Sequence, residues 1–378
     1  MVEFSFIVCY TNYGDIMNRK KKYKLKKGRI FITLLLLTII VVFTLNIGNI
    51  ITVIKLKNLK YTSESISIIN KNDIKIDKYS KTLDKIINTN YFILDNTKYY
   101  IDIDYKDNDN FFENINKLIS IGYNAKEINI INNKLDNIDL ILNNEYNKNL
   151  YDILNSDYFY KDNLERYLKY DKDNIVLNVN MNLDYEFYTH DIEVTTKDST
   201  MLVNKYYKLD KTYIPTLTTL DRAYAVNDKQ QVTLETKEAF QEMCDDAKKD
   251  NIYIYSGSAY RSYSYQNILF NNRAKMEGLD YANKTAAKAG YSEHQTGLSM
   301  DLMNKNYDYI SAEDEEYEWL INNSYKYGFI LRFPKDMDNI TGYTYEPWHF
   351  RYINIEIATY LKENNLTYEE YYSMNLNK

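Results

Sequence analysis

Apolar and polar positions follow three different rhythms along this chain, and each rhythm predicts a different kind of element. Residues 30–54, IFITLLLLTIIVVFTLNIGNIITVI, run 25 positions without a charge. That is long enough for one helix to cross a bilayer with some tilt. Residues 55 to about 100 are polar with short isoleucine-rich runs and read as a stalk entering a small domain. From 107 to 172 the apolar spacing is helical: Phe111, Ile115, Leu118 and Ile119 share a face, and Gly122 supplies a stop. The segments AKEINIINNKL and DNLERYLKY repeat this style without a fixed period, which predicts short packed helices rather than a solenoid.

At residues 175–183 the rhythm changes. In IVLNVNMNL, Leu177, Val179, Met181 and Leu183 alternate with asparagines, which predicts a half-buried strand and the start of a second domain near residue 173. Further on, the pattern predicts a helix at about 236–249, a strand in NIYIYSGS and a helix at about 264–277. Another helix is expected to begin after Ser311, with Asp314 three positions on, and to stop at Gly328. After Gly297, Leu298, Met300 and Leu302 alternate with Ser299 and Asp301, as in a strand with one buried face. Intermixed helices and strands of this kind indicate an α+β fold.

Charge adds an orientation. The formal net charge of −6 conceals a basic start: residues 1–29 carry eight Lys and Arg against Glu3 and Asp15, a net of +6. Basic residues just before the apolar run favour a cytoplasmic N-terminus and an outward-facing body. A cleaved signal peptide is the competing reading, but Asn46, Ile47, Gly48 and Asn49 offer no small-residue cleavage site, which favours an uncleaved anchor. Met17, directly before NRKKKYKLKKGR, is an alternative start; a chain beginning there lacks Cys9. The remaining residues, 39 bases against 51 acids, make an acidic body that argues against nucleic-acid binding. The two cysteines, Cys9 and Cys244, would lie on opposite sides of the membrane and could not pair. Cys244 falls on the apolar face made by Ala239, Phe240, Met243 and Ala247 and reads as a core residue.

Candidate chemistry is concentrated in two stretches. The chain has only three histidines, and His294 stands in AGYSEHQTGLSMDL. A loop through Gly297 can bring His294 back beside Asp301, and imidazole nitrogen and carboxylate oxygen both suit zinc. The second stretch is YEPWHFRY, in which Pro347 disfavours a helix and an extended chain puts Trp348 and Phe350 on one side, His349 and Arg351 on the other. His349 would complete a His-Asp-His set with an open position, the pattern of a catalytic zinc site, and Glu346 would stand close enough to take a proton from the metal-bound water. The plain alternative is a set of surface or satisfied core histidines, which is how His190 in FYTHDIE reads. Spacing alone leaves both readings of His294 and His349 open.

From about residue 163 to 365 the chain resembles the VanY-type D-alanyl-D-alanine carboxypeptidases, zinc peptidases of the group that includes the VanX dipeptidases. The matching pieces occur in order: DNLERYLKY, LVNKYYKLDKTYIP, SGSAYRSYSYQ, SEHQTGLSMDL, WLINNSYKYGFILRFP and EPWHFRY. The S-x-H-x(6)-D and E-x-W-H pair is highly specific for this group. The resemblance implies one zinc ion held by His294, Asp301 and His349, with Glu346 as general base. It implies Arg261 as the cation facing the scissile carbonyl or the substrate's carboxylate. It makes Gln266 and Ser299 substrate contacts, with Tyr260 and Trp348 lining or packing the pocket. The expected fold is a small antiparallel-sheet zinc peptidase domain with surrounding helices, preceded by a transmembrane helix and a mostly helical module. The expected division is a basic cytoplasmic tail (1–29), an anchor (30–54), a stalk and helical module (55–172) and a D,D-carboxypeptidase domain (173–378) outside the cell. The implied substrates are peptidoglycan stem peptides ending in D-Ala-D-Ala. An L,D-carboxypeptidase acting on tetrapeptide stems is the nearest rival; a non-catalytic wall-binding or sensor protein is the rival from another class.

Overall fold

The computed structural model describes residues 16–376; Met1, Cys9 and the rest of residues 1–15 lie outside the described residues. The chain divides into two compact units, Met1–Lys148 and Asn149–Lys378. Residues 149–172 group with the second.

The described part of the first unit is helical. Its helix Ile16–Asn58 contains the segment Arg29–Asn58, among the described residues the one helix long and apolar enough to cross a membrane. Short helices follow at Ser63–Lys71, Lys81–Ile86, Phe111–Ile121 and Ala125–Lys134. They form because caps offset their shortness. Ser80 accepts from the Leu83 N–H at 3.1 Å, and Asn124 and Glu127 form a reciprocal capping box. Phe111, Ile115 and Leu118 are buried as their spacing predicts, while Ile119 is half-buried at the edge of that face. Gly122 ends the helix at a φ of 122°, a conformation that favours glycine.

The second unit is α+β. Its centre is a four-stranded antiparallel sheet in the order Tyr255–Ser258, Ser299–Met303, His349–Tyr352, Phe329–Leu331. One face of this sheet is apolar. Met300, Leu302, Phe329 and Phe350 pack there against the helix Leu234–Lys249 through Phe240, Met243, Cys244 and Ala247. Each fully buried side chain of this size contributes about 1.5–3 kcal/mol relative to leaving it exposed. Thr233 caps that helix and Ser262 caps the helix Tyr263–Glu277. Cys244 is buried, and burial pushes its thiol well above the ordinary range.

Two expectations need correction. Residues 175–183 do not form a strand; Ile175–Asn180 is a helix. Its inward residues are Val176, Val179 and Asn180, three to four apart, and Asn180 accepts from Asn163 and donates to the Tyr158 and Ser373 carbonyls. The apparent two-residue alternation ran across a helix whose asparagine is buried and partnered. The strand expected in NIYIYSGS is present, as Tyr255–Ser258. The helix expected after Ser311 starts at Glu315, because the Asp314 carboxylate turns back to accept from the Ser311 N–H at 2.8 Å. That helix gives way to a 3-10 turn, Ser324–Tyr327, before the left-handed Gly328.

Candidate active site

The sheet register brings the two chemical stretches together. Asp301 and His349 are direct partners across adjacent strands, as are Ser299 and Arg351, although 48 residues separate the first pair. Alternation then sends Asp301, His349 and Arg351 to the face opposite Met300 and Phe350. His294 arrives from a 3-10 turn, Glu293–Thr296, that ends at Gly297 with φ of 69°. A Cβ at Gly297 would meet Leu217 at 3.0 Å and Pro215 at 3.3 Å, so the turn needs glycine for both conformation and space.

The result is a buried cluster. His349 Nδ1 lies 3.1 Å from Asp301 Oδ1, and His294 Nε2 lies 3.4 Å from the same oxygen. The other nitrogen of His294, Nδ1, is 2.7 Å from the Ala259 carbonyl, which turns Nε2 inward. The second oxygen of Asp301 accepts from the Arg261 guanidinium, which also donates to Ser258 Oγ at 2.8 and 3.0 Å. Glu346 Oε2 stands 3.7 Å from His349 Nδ1, and the His349 N–H donates to the Glu346 carbonyl at 3.1 Å. Pro347 thus sits in a turn that folds Glu346 back over the first residue of the strand.

Electrostatics separate the roles these groups can take. Burial raises the Glu346 carboxyl to about 7, against the pull of His349. Burial and the nearby Arg261 guanidinium lower His294 to about 4, so this imidazole is neutral at physiological pH. Burial also disfavours a charged His349, but the hydrogen bond to Asp301 and the Glu293 carboxylate 3.5 Å from Nε2 outweigh it and raise the imidazole to about 9. Asp301 is held well below the usual carboxylate range because His294 and Arg261 overcome its burial.

One atom each from His294, Asp301 and His349 lies within 4.8 Å of the others. Two imidazole nitrogens and a carboxylate oxygen, converging in a buried place where Asp301 Oδ1 faces both rings, fit a zinc ion by the chemistry of the donor set. A cavity of about 360 Å³ opens beside them, lined in part by Glu346, Arg261, Trp348 and Gln266. Gln266 donates to the Ala287 carbonyl at 2.8 Å, and its Oε1 is buried without a hydrogen-bond partner.

Two expected pocket residues are placed elsewhere. Ser299 is fully buried and outside the cavity lining; its hydroxyl donates to Glu293 Oε2 at 3.2 Å. It shares a face with Asp301, but two residues along the strand that face is covered by Glu293. Tyr260 is half-buried and also outside the lining, because Arg261 takes the inward position while the Tyr260 N–H donates to the Gln231 carbonyl. His190 stacks on Tyr185 at 4.2 Å, apart from the cluster.

Sequence reasoning missed several residues. Phe333 and Tyr343 line the cavity, and the Phe333 ring centre is 4.9 Å from that of His349. Glu293 is buried beneath His349, where Arg332 Nε and Arg351 Nη1 donate to its Oε1 at 2.8 and 2.9 Å. These guanidinium groups hold Glu293 well below the usual carboxylate range despite its burial. The one available signal was a charged residue directly before His294, in a stretch otherwise free of charge from Tyr291 to Met300.

Residues 229–355 match the family model of VanY, D-alanyl-D-alanine carboxypeptidase. YodJ of Bacillus subtilis (strain 168) is 38% identical over 179 residues, covering 45% of this chain and 66% of YodJ. A D-alanyl-D-alanine carboxypeptidase of Enterococcus faecium is 38% identical over 138 residues, 36% of this chain and 42% of that protein. The chain thus spans less than two thirds of either relative. Among solved structures, the LdcB LD-carboxypeptidase, described as recognising peptidoglycan, is 33% identical with a TM-score of 0.45, covering 50% of this chain and 98% of LdcB.

Proposed function

We propose that this chain, a member of the VanY family through residues 229–355, is a membrane-anchored zinc carboxypeptidase acting on peptidoglycan stem peptides that end in D-Ala-D-Ala. It removes the terminal D-alanine. The observation that carries this reading is the convergence of His294, Asp301, His349 and Glu346 at one cavity.

His294, Asp301 and His349 hold the ion, one per catalytic domain. When bound, zinc supplies a Lewis acid that polarises the scissile carbonyl and makes water acidic enough to attack near neutral pH. Glu346 takes a proton from the attacking water as the new carbon–oxygen bond forms, then gives it to the departing nitrogen as the carbon–nitrogen bond breaks. A carboxyl raised to about 7 is matched to both transfers. Arg261, fixed by Ser258 and Asp301, balances the negative charge developing on the carbonyl oxygen. Gln266 offers its unpartnered Oε1 to the substrate, and Trp348 forms part of the wall.

The helix Arg29–Asn58 and the basic residues before it support a single-pass anchor with a cytoplasmic N-terminus and the catalytic domain outside the cell. That is the side on which peptidoglycan lies. Residues 1–29 then form the tail, 30–54 the anchor and 55–148 a stalk and helical spacer, while the catalytic domain expected from 173 to 378 also takes in residues 149–172.

The test is release of free D-alanine by the full-length protein in detergent, from a stem pentapeptide ending in D-Ala-D-Ala and from the matching tetrapeptide. The expected result is release from the pentapeptide, abolished by a chelator and restored by zinc. Release from the tetrapeptide alone would transfer the chain to the L,D class. Release from neither, with zinc bound, would favour a wall-binding protein without activity.

A further inference from the structure

We propose that Glu293 is a positioning residue for the metal site: when the ion is bound, it accepts from the Nε2–H of His349 and so leaves the Nδ1 lone pair for the ion. The inference rests on the zinc reading above and deepens it. His349 Nδ1 points to Asp301 and Glu346, and the opposite nitrogen, Nε2, is buried without a hydrogen-bond partner and faces Glu293 Oε2 at 3.5 Å, so a small turn of the ring would pair them. An imidazole that gives Nδ1 to a metal must carry its proton on Nε2, and an acceptor there fixes both tautomer and ring angle.

The two oxygens of Glu293 divide the work. Oε1 is anchored, accepting from Arg332 Nε and Arg351 Nη1. Oε2 is directed at His349 and accepts from Ser299 Oγ at 3.2 Å. The guanidinium groups are themselves immobilised. Arg332 forms a two-pronged pair with Glu369 at 2.5 and 2.9 Å, and Arg351 donates to the Ser199 and Met201 carbonyls at 3.0 and 2.8 Å. Both arginines and both carboxylates are buried, and two positive charges meet two negative ones. The network is therefore neutral by itself and does not need a charge on His349 to balance it. A buried four-charge network is a costly way to support a fold that apolar residues could support as well. Its placement against the back of one metal-binding ring gives it a use.

The experiment measures zinc affinity by competition with a chromophoric chelator, and the visible spectrum of the cobalt-substituted site, on the full-length protein and three variants. Glu293→Gln is expected to weaken zinc binding about 10- to 100-fold and to alter the cobalt spectrum. Glu369→Gln breaks the same network at the end remote from His349. It is expected to lower thermal stability while leaving zinc affinity within about threefold. Should Glu293→Gln fail to fold, Ser299→Ala removes only the hydroxyl that steers Oε2 and is expected to weaken zinc binding several-fold. Unchanged zinc affinity in Glu293→Gln or Ser299→Ala, or equal weakening in Glu369→Gln, would overturn the proposal. Absence of zinc binding by the unaltered protein would instead overturn the metal-site reading on which it rests.

Discussion

Both faces of the four-stranded sheet bury their central side chains, and they are built on opposite principles. On one, Met300, Leu302, Phe329 and Phe350 meet the Leu234–Lys249 helix in an apolar layer. On the other, Asp301, His349 and Arg351, alternating with those same residues, meet Glu293, Arg332 and His294. Burial on the first face stabilises directly, at about 25 cal/mol for each Å² removed from water. Burial on the second costs free energy that only close pairing offsets, and its charges gain little net stability over apolar replacements. A fold that carries such a face has placed chemistry on it. The comparison therefore divides the unit into residues whose loss should unfold it and residues whose loss should silence it.

The sharpest break between the two classes is Glu346→Ala. Removing a positioned general base should lower kcat about 10²- to 10⁴-fold, while zinc content and the urea midpoint stay near those of the unaltered protein. Near-normal turnover would remove Glu346 from its role. The mirror experiment is Phe350→Ala, one residue from His349 but on the apolar face. It should cost about 3–5 kcal/mol of stability, read by urea unfolding, because a fully buried ring leaves a cavity. The fraction that remains folded should bind zinc as before.

A third measurement sharpens the electrostatic half of the contrast. The hydrogen bond to Asp301 and the Glu293 carboxylate facing Nε2 outweigh burial and raise the His349 imidazole to about 9. Zinc must displace this proton. Apparent affinity should therefore strengthen as pH rises, by about tenfold per unit below that value, with proton release measurable by titration calorimetry in buffers of different ionisation enthalpy. Affinity that falls as pH rises from 6 to 8 would contradict the assignment. The smallest effect is expected from Met300→Leu, a swap of similar volume on the apolar face. It should cost less than about 1.5 kcal/mol and leave turnover unchanged.

The same two faces explain how much was legible in the sequence. The alternation after Gly297 and around His349 displayed both sides of two strands, and with them Asp301 and His349, because a strand repeats every two residues wherever it packs; His294 was found from its place in the turn before Gly297. Helices on the apolar face were equally plain, since Phe240, Met243, Cys244 and Ala247 recur at helical spacing. The segment at 175–180 misled because its inward asparagine is partnered by residues far along the chain, one of them Ser373. Glu293 was hidden for the same reason. Its partners Arg332 and Arg351 lie 39 and 58 positions away, and only the sheet register brings them under His349. Ser299 shared a face with Asp301, but no local pattern could say that Glu293 would cover it. Local periodicity thus displayed the faces, whereas the pairing of buried charges depended on contacts between distant segments.

The most direct test is the zinc content of the purified full-length chain beside that of its Asp301→Ala variant, after dialysis against trace zinc. One zinc per chain in the unaltered protein, lost in the variant while the fold persists by circular dichroism, is the predicted result. No zinc in the unaltered protein, or a full equivalent retained without Asp301, would contradict the claim that the charged face of this sheet is a catalytic metal site.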